Sequence, residues 1–511
     1  MSFALAWVIA FVSGFVALSC EILWYRAYSV GSGGAPPAFG MMLGFYLLGI
    51  AAGAAAARRV CRGAATSAGD ARFLGPLGAF VLAANAVSFL VVPLLARIVT
   101  VAPWQASLPL VALAAGSLGA ILPLASHFGV APDDRAGWRV SWIFAGNIAG
   151  ATIGTLLTGY VLMDLWPLPV LALLMVVFGC AAAAVVFARS SLPLPNRLAS
   201  LAACAVCAIA AVAARGALFD GLWERLTFRR EFAAGKRFVQ VKENRNDVIC
   251  VAADLRVYGG GLYDGALNTS LRDDVNNVWR AYGLAAYLKE PRDVLVIGMS
   301  GGAWSQVIAH LPGVERVTIV EINPGYLDVI AAHPQVSGLL RNPKVDIAID
   351  DGRRWLRRHP DRKFDLIVQN TSQHWRAHST HLLSREHLEL AKSRLLPGGH
   401  FYFNTTESPD VLMTGLAVFP HAVLLWNFML ASEAPLIADE ARFRPTLRSF
   451  EIEGRPVWDF ARESEETAFE AAVGKCLHSA PRDSIRSALR GSTVITDDNM
   501  ASEWATRVDG R

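Results

Sequence analysis

Six uncharged, apolar runs in the first 190 residues constrain this chain more than any other feature. Each run is long enough to cross the hydrocarbon core of a bilayer as a helix. They are Ser2–Cys20, Pro37–Ala57, Phe73–Ala96, Pro103–Ser126, Val140–Met163 and Leu165–Ala188. A weaker, Ala-rich run, Leu198–Ala214, follows them, and beyond it charged residues return. The pattern predicts an α-helical membrane bundle of six or seven spans in residues 1–215, with the lipid bilayer as a partner, followed by a soluble half.

The arginines between these runs predict how the bundle is oriented. With the N-terminus inside, only Arg26 and Arg97 fall on outer loops. The inner loops then carry Arg58, Arg59, Arg62, Arg72, Arg135, Arg139, Arg189 and Arg197, which the positive-inside rule favours. Six spans would leave the soluble half in the cytoplasm, whereas a seventh span at Leu198–Ala214 would export it.

Composition argues against several other classes of protein. The net charge of +4 is small and its arginines lie largely beside the apolar runs, so we expect no nucleic-acid partner. The seven cysteines have no metal-ligand spacing, and we expect no metal site. A homo-oligomer remains open.

The soluble half begins with short β-type runs between Phe238 and Ser270, which predict a small antiparallel β-hairpin region. Asp273–Leu288 has helical spacing, with Asp273 or Asp274 as N-cap. Strands then alternate with helical segments, as in a parallel α/β sheet. The predicted division is residues 1–215, 216–288 for the hairpin region with its linking helix, and 289–511 for a Rossmann-like domain with a C-terminal extension.

Three successive strand ends carry residues suited to a nucleoside. In Asp293–Leu311, a buried strand is followed by a turn containing Gly298, Ser300 and Gly302, where backbone can approach a ligand closely, and then by an amphipathic helix. The next strand ends in Glu321, which lies 23 positions after Gly298 (321 − 298), where this type of fold places a carboxylate for ribose hydroxyls. The third strand runs into Asp350, Asp351 and Gly352, the expected position of an adenine edge, although an aspartate there also caps the following helix.

The fourth strand, "FDLIVQNTSQHW" (364–375), ends in amides where an α/β enzyme often keeps a catalytic acid. Asn370 and Gln373 follow the strand, and His374 comes next. Amides donate and accept hydrogen bonds but do not take up a proton at neutral pH. Near the C-terminal end of the sequence, the acidic stretch Thr496–Asn499 is interpreted as a helix cap or a loop.

The turn, the acid and the Asp-Gly pair together resemble class I S-adenosylmethionine (SAM)-binding proteins. The upstream hairpins with "YDG" at Tyr263–Gly265 resemble the spermidine synthase (aminopropyltransferase) group over roughly residues 238–406. The preceding apolar runs, with "SGFVALSCEILWYR" at Ser13–Arg26, resemble bacterial spermidine-synthase-like transmembrane proteins. The resemblance implies a multi-pass protein of the bacterial inner membrane, a SAM-type small-molecule ligand, and roles for Tyr263 and Asp264 in the active site.

The chain departs from that family where the chemistry occurs. The family's catalytic loop reads Asp-Ser-Ser-Asp-Pro, and it falls on Asn370-Thr371-Ser372-Gln373-His374. Its Gly-rich loop contains an acid that is absent here, and a Gln after the Asp-Gly pair is Asn268 in this chain. Carboxylates in the family bind the diamine and receive its proton, which Asn370 and Gln373 cannot do.

We therefore expect SAM itself to be the substrate, with 5′-methylthioadenosine released by attack of its own carboxylate or amine and a lactone or azetidine formed. Arg376, just after the amide loop, would then grip the carboxylate of SAM, and His374 would accept a proton. The alternatives are residual aminopropyl transfer from decarboxylated SAM, a non-catalytic membrane sensor of such nucleosides, and, third, methyl transfer. A cytoplasmic source of the substrate slightly favours a cytoplasmic soluble half.

Overall fold

The computed structural model describes residues 1–63, 74–370, 373–500 and 503. The chain divides into two compact units, which we call the helical unit (residues 1–237 and 243–248) and the α/β unit (residues 238–242 and 249–511). The boundaries that the sequence suggested after residues 215 and 288 remain predictions.

The helical unit is built from long apolar helices joined by short connections. Its helices are α1 (Phe3–Ser32), α2 (Pro37–Gly63), α3 (Leu74–Ile98), α4 (Leu108–Gly119), α5 (Ile121–Gly129), α6 (Ala136–Leu157), α7 (Met163–Leu165), α8 (Leu168–Ala188), α9 (Leu194–Phe219) and α10 (Leu222–Phe228). Within residues 1–63 and 74–248, seven helical segments are long and apolar enough to cross a membrane, and one of them is the whole of α9. They coincide with the six predicted runs and the weaker seventh one; Phe73 and Arg72 lie outside the described residues.

Small residues bring the helices of this unit together, as expected for helix packing in lipid. Gly150 of α6 packs so closely on α1 that a Cβ there would lie 1.9 Å from the carbonyl oxygen of Phe11. Any side chain at this position would therefore push the two helices apart. The small-residue stretches of the sequence thus serve packing.

A four-stranded sheet occupies the region where the sequence predicted a small β-hairpin. Its strands are β1 (Phe238–Glu243), β2 (Val248–Ala252), β3 (Arg256–Gly259) and β4 (Leu262–Ala266), in that order across the sheet. Strand β3 is antiparallel to both β2 and β4. Apolar residues of β2 and β3, Ile249, Val251 and Val257, are fully buried in the core of the α/β unit. This sheet is larger than the predicted hairpin, and it presents the end of β4 to the candidate site described below.

The main sheet of the α/β unit has eight strands in the order β14-β10-β11-β9-β8-β5-β6-β7. They are β5 (Asp293–Ile297), β6 (Arg316–Glu321), β7 (Val345–Ile349), β8 (Phe364–Gln369), β9 (Leu395–Asn404), β10 (His421–Leu425), β11 (Phe428–Ser432) and β14 (Ala480–Pro481); β12 (Glu451–Ile452) and β13 (Arg455–Pro456) pair separately. Strands β5 to β9 are parallel, and β10, β11 and β14 add antiparallel pairs at one side. The predicted parallel α/β sheet is therefore present, with an antiparallel extension.

Ten helices pack around these sheets in the described part of the unit: α11 (Trp279–Tyr282), α12 (Leu284–Tyr287), α13 (Ala303–Ala309), α14 (Gly325–Ala332), α15 (Gly352–Arg358), α16 (Arg385–Lys392), α17 (Pro409–Val418), α18 (Glu440–Arg448), α19 (Glu465–Leu477) and α20 (Arg482–Ala488). The central strand β5 is buried on both faces, with Val294 and Val296 in one apolar cluster and Leu295 and Ile297 in the other. This alternation explains why the strand is a continuous apolar run in the sequence.

Two helix predictions for this unit were wrong. Asp273–Leu288 is not one helix: a loop runs to Val278 and two short helices, α11 and α12, follow. The carboxylate of Asp274 accepts hydrogen bonds from the backbone N–H groups of Asn276, Val278 and Trp279 and so stabilises that loop. Helix α13 is not amphipathic, because all seven of its residues are buried.

Candidate active site

A cleft with a cavity volume of about 140 Å³ opens within the α/β unit at the carboxyl ends of β5 and β8. Open parallel sheets commonly bind ligands at this edge. Its polar lining side chains are Tyr263, Asp264, Asn276, Arg280, Ser300, Asn370, Gln373, Asn404 and Asn427. Five of these nine side chains are amides, and one each is an acid and a guanidinium.

The Gly-rich turn forms one wall of the cleft, with Gly298, Ser300 and Gly302 all lining it. Gly298 has a φ of 84°, and a Cβ there would lie 2.6 Å from the carbonyl oxygen of Asn370. The turn and the amide loop are therefore in direct contact, which only glycine permits. Ser300 also has a positive φ, 51°, and its hydroxyl donates to the carbonyl oxygen of Asp264. Such strained backbone is often found at ligand sites.

Glu321 lies behind this turn, at the end of β6, and is only 4% exposed. Its carboxylate accepts hydrogen bonds from the backbone N–H groups of Met299 and Asn323, both at 2.8 Å. Burial raises the pKa of Glu321 to about 7, although these two hydrogen bonds lower it. A backbone hydrogen bond from Ser300 also lowers it, so the carboxylate fixes the turn from behind, and Glu321 itself is not among the residues that line the cleft.

The third strand end is arranged differently. Asp351 is the N-cap of α15 and accepts a hydrogen bond from the backbone N–H of Arg354 at 2.7 Å. Asp350 forms ion pairs with Arg354 and Arg358. Gly352 begins α15, and none of these three predicted adenine-binding residues is among the residues that line the cleft. The capping interaction that the sequence suggested for Asp351 is present.

Tyr263 and Asp264, within β4, both line the cleft. The Tyr263 hydroxyl donates to the side-chain oxygen of Asn276 at 3.0 Å, and burial raises the pKa of Tyr263 to about 12. The Asp264 carboxylate accepts a hydrogen bond from the hydroxyl of Tyr326. Among the described lining residues, Asp264 is the one carboxylate. Asn268 instead lies in a turn, where its side chain bonds to Ser270 and Asp273.

The amide loop reaches the cleft through Asn370 and Gln373; Thr371 and Ser372 lie outside the described residues. His374 is not among the lining residues, and its Nδ1 is 2.8 Å from the hydroxyl of Thr406. Burial lowers the pKa of His374 below its usual value, so the ring is neutral at pH 7. Arg376, the predicted carboxylate ligand, is half-buried and likewise does not line the cleft.

The guanidinium that does line the cleft belongs to Arg280 in α11, a residue that the sequence analysis missed. Arg280 is 8% exposed. It donates to the carbonyl oxygens of Asn277 (3.0 Å) and Asn276 (3.4 Å) and to the side-chain oxygen of Asn427. Its Cζ lies 4.9 to 5.2 Å from the ring centroids of Trp304, Trp426 and Phe428. No ion pair joins it to a carboxylate in the described part of the chain.

Three of the amides form a hydrogen-bonded row at neighbouring strand ends. Asn370 follows β8, Asn404 ends β9, and Asn427 precedes β11, which pairs with β9. Asn427 Nδ2 donates to Asn404 Oδ1, and Asn404 Nδ2 donates to Asn370 Oδ1, both at 3.2 Å. The row therefore connects Arg280 to the amide loop.

Comparison with known proteins points to one family for part of this chain. Residues 283–414 match the spermine/spermidine synthase domain. The chain carries a spermidine-synthase-like domain. A polyamine aminopropyltransferase of Mycobacterium tuberculosis is 29% identical over 198 residues, which are 35% of this chain and 37% of that protein. A spermidine synthase of Dictyostelium discoideum is 34% identical over 111 residues, which are 21% of this chain and 38% of that protein.

The chain thus spans well under two thirds of the length of either relative. A crystal structure of a spermidine synthase with a transition-state analogue aligns with 47% of this chain and 84% of that one, at 15% identity and a TM-score of 0.34. That score is too low to say more about the spermidine-synthase-like domain.

The two charged side chains of the cleft lie outside the stretch that defines the spermidine-synthase-like domain. Residues 283–414 include the Gly-rich turn, Glu321 and Asn370, whereas Asp264 and Arg280 precede them. The sequence held one signal for Arg280, a single charge within the apolar run "VWRAYGLAAYL" (278–288). In the described residues, no group of three or more His, Cys, Asp or Glu side chains is arranged to hold a metal ion.

Proposed function

We propose that the α/β unit binds a SAM-type sulfonium nucleoside in the cleft and catalyses attack on a carbon attached to the sulfonium, with release of 5′-methylthioadenosine. The Gly298–Gly302 turn would receive the nucleoside, and Glu321 would accept hydrogen bonds from its ribose hydroxyls. The likeness to polyamine aminopropyltransferases supports the class of reaction.

The observation that carries the choice of nucleophile is the composition of the cleft wall. An external polyamine is mostly protonated at pH 7 and must lose a proton before it attacks. Asn370 and Gln373 stand where the related enzymes carry acids, and neither can take that proton. The wall also carries the cation Arg280, which disfavours a dication as the second substrate.

A nucleophile within SAM itself removes this difficulty. The α-carboxylate of SAM attacks its own γ-carbon, a C–O bond forms, and the C–S bond breaks with its electron pair going to sulfur. The products are neutral methylthioadenosine and protonated homoserine lactone, so no proton is transferred. Attack by the α-amine gives an azetidine carboxylate and requires the loss of one proton. The cleft would contribute by holding the chain folded for reaction.

A second candidate, residual aminopropyl transfer from decarboxylated SAM, is favoured by one observation. Asp264 lines the cleft and is a carboxylate able to bind an amine and accept its proton. This candidate requires the amine to bind on the same wall as Arg280.

Product analysis separates these candidates. The full-length protein in detergent is incubated with SAM or decarboxylated SAM, each with and without putrescine. Methylthioadenosine from SAM alone, faster than without protein, is the expected result, because SAM also cyclises slowly by itself. Spermidine would favour aminopropyl transfer, and S-adenosylhomocysteine would favour methyl transfer. Binding without any product would leave a sensor of such nucleosides and contradict the proposal.

We also propose that the chain lies in a bacterial inner membrane with the α/β unit in the cytoplasm, where a sulfonium substrate is available. Helix α9 has 26 residues and is long enough to be a seventh membrane crossing. Seven crossings that start from an N-terminus in the cytoplasm would place the α/β unit outside the cytoplasm, which argues against this placement. The placement requires that α9 does not cross fully or that the N-terminus lies outside. A C-terminal reporter that is active only in the periplasm would contradict it.

A further inference from the structure

Arg280 is a buried cation on the wall of the cleft, and no carboxylate of the described residues forms an ion pair with it; the charges of Asp274 and Glu407 act on it only from a longer distance. Buried charges in proteins are normally paired, because an unpaired charge loses its hydration without compensation. The hydrogen-bond acceptors of this guanidinium are two backbone carbonyl oxygens and the amide oxygen of Asn427. They satisfy three of its five N–H groups and bring no negative charge.

The aromatic side chains around Arg280 do not replace a counter-ion. The faces of Trp304, Trp426 and Phe428 attract a cation, but they carry no net charge. They also exclude water from one side of the guanidinium. An anion that entered the cleft would therefore interact with Arg280 more strongly than it would at a hydrated surface.

The row of amides beside Arg280 is oriented so that it also presents donors. The backbone N–H of Thr406 donates to Asn404 Oδ1 at 2.8 Å, which fixes which atom of that amide accepts. Asn404 Nδ2 must then donate to Asn370 Oδ1. The Asn370 amide consequently has its oxygen occupied and its N–H₂ group left for the cleft. Donors suit a carboxylate, whereas a protonated amine requires acceptors.

The charges of the cleft wall match those of an amino acid. Among its described lining residues, Asp264 is the one acid and Arg280 the one guanidinium. An α-amino acid group carries one ammonium and one carboxylate, whereas an aminopropyl chain carries only the ammonium.

We infer that Arg280 is the carboxylate-binding residue of this cleft, and that its ligand is a sulfonium nucleoside that retains its α-carboxylate. This inference rests on the first part of the proposed function, the binding of a SAM-type nucleoside and attack on a carbon attached to its sulfonium, and it does not depend on which nucleophile attacks. It assigns to Arg280 the role that the sequence suggested for Arg376.

Four ligands test the inference by calorimetry on the full-length protein in detergent. SAM carries both a carboxylate and a sulfonium, S-adenosylhomocysteine only the carboxylate, decarboxylated SAM only the sulfonium, and methylthioadenosine neither. We expect the wild type to bind SAM at least about tenfold more tightly than decarboxylated SAM, as for one charged hydrogen-bonded contact. Arg280→Met should lower the affinity for SAM and S-adenosylhomocysteine by about 30-fold or more. Its affinity for methylthioadenosine should stay within about threefold of the wild-type value.

A second variant guards against a folding defect in Arg280→Met. Asn427→Asp keeps the shape of the side chain that accepts from Arg280, and it supplies the missing counter-charge. We expect it to weaken SAM and S-adenosylhomocysteine selectively, like Arg280→Met. Arg448→Met is the matched control: Arg448 also lies over an aromatic ring, that of Phe460, but pairs with Glu466 away from the cleft. It should bind all four ligands like the wild type.

The outcomes distinguish this inference from the function on which it rests. Equal affinity of the wild type for SAM and decarboxylated SAM would overturn the inference and leave the proposed function standing. Selective loss of SAM in Arg376→Met but not in Arg280→Met or Asn427→Asp would also overturn it. Failure of the wild type to bind any of the four ligands would overturn both.

Discussion

Two arginines of the α/β unit, Arg353 and Arg280, are equally buried, each with 8% of its surface exposed, yet their surroundings differ. Arg353, in α15, forms two hydrogen bonds with the carboxylate of Asp497, at 2.7 and 2.5 Å. Ser384 donates to the same carboxylate at 2.7 Å. Arg280, in α11, has aromatic faces, backbone carbonyls and an amide around it. Within the described residues, the guanidinium of Arg353 forms an ion pair with a carboxylate, and the guanidinium of Arg280 does not.

The difference indicates which of two buried cations serves the fold and which serves a ligand. The Arg353–Asp497 pair joins α15 to the C-terminal stretch and lies outside the cleft. The hydrogen bond from Arg353 lowers the pKa of Asp497 to about 2, so the pair is charged at neutral pH. The sequence had suggested a cap or loop for this acidic stretch; residues 497–499 do form a turn, and Asp497 in addition pairs with Arg353. Arg280 lines the cleft, where a substrate can supply the missing charge.

The comparison predicts unequal losses of stability for the two sites, and the loss at Asp497 is the largest effect on stability that we expect from a substitution. Asp497→Ala leaves Arg353 buried with its charge uncompensated and should lower the free energy of unfolding by about 2–4 kcal/mol, below the upper end for buried pairs because the Asp497 side chain is 34% exposed. Arg280→Met removes a cation without depriving any carboxylate of an ion-pair partner among the described residues, and methionine packs well on aromatic rings. It should cost less than about 1 kcal/mol.

Thermal unfolding of the ligand-free protein in detergent measures both changes, and Asp497→Asn provides an isosteric control that removes only the charge. We expect the unfolding midpoints, from highest to lowest, to follow the order wild type, Arg280→Met, Asp497→Asn and Asp497→Ala. Arg280→Met as damaging as Asp497→Ala would show that both arginines are structural, and the comparison would fail.

The sequence allowed much of the α/β fold to be predicted because three of its parallel strands are almost fully buried. Strands β5, β6 and β8 are short apolar runs, as such burial requires, and they lie where they were expected. The linking helix could not be predicted correctly, because the Asp274 carboxylate satisfies backbone N–H groups in a loop and not at the start of a long helix. Side-chain capping of this kind competes locally with helix formation.

The sequence predicted only those residues of the candidate site that lie in or next to a recognisable strand. Gly298 and Asn370 each follow a recognisable strand and Asp264 lies in one, and the structure brings them to one cleft. Arg280, Asn404 and Asn427 come from a short helix, a parallel strand and an antiparallel hairpin, and strand order alone makes them neighbours. The ion pairs of Asp350 show the reverse case, a strand-end acid in a suitable position that is satisfied by its own helix.

Glu321 extends the comparison to a buried acid that is held by backbone N–H groups and not by a cation. If it binds the ribose, Glu321→Ala should weaken methylthioadenosine binding by about 1.5–3 kcal/mol, as for a lost hydrogen bond to a charged group. Calorimetry with methylthioadenosine isolates this effect, since that ligand has no carboxylate for Arg280. Arg280→Met should leave it nearly unchanged, and equal affinity in Glu321→Ala would exclude the ribose assignment.

The last effect we expect is a pH dependence that arises from the same carboxyl group. Its pKa is about 7 in the folded protein, against a usual value of 4.5. The folded state therefore holds a proton that the unfolded state has lost, and the ligand-free protein should become less stable as the pH rises from 4.5 to 7.

Ligand binding should follow the opposite trend. Ribose hydroxyls donate best to the ionised carboxylate, whereas a protonated Glu321 offers one acceptor fewer. The ionised fraction of a group with a pKa near 7 rises about tenfold between pH 6 and pH 8, and the affinity for methylthioadenosine should rise by a similar factor. Glu321→Gln cannot ionise, so both its ligand-free stability and its affinity should lose this dependence. An unchanged slope in Glu321→Gln would assign the titration to another group and leave Glu321 with its role in fixing the Gly-rich turn.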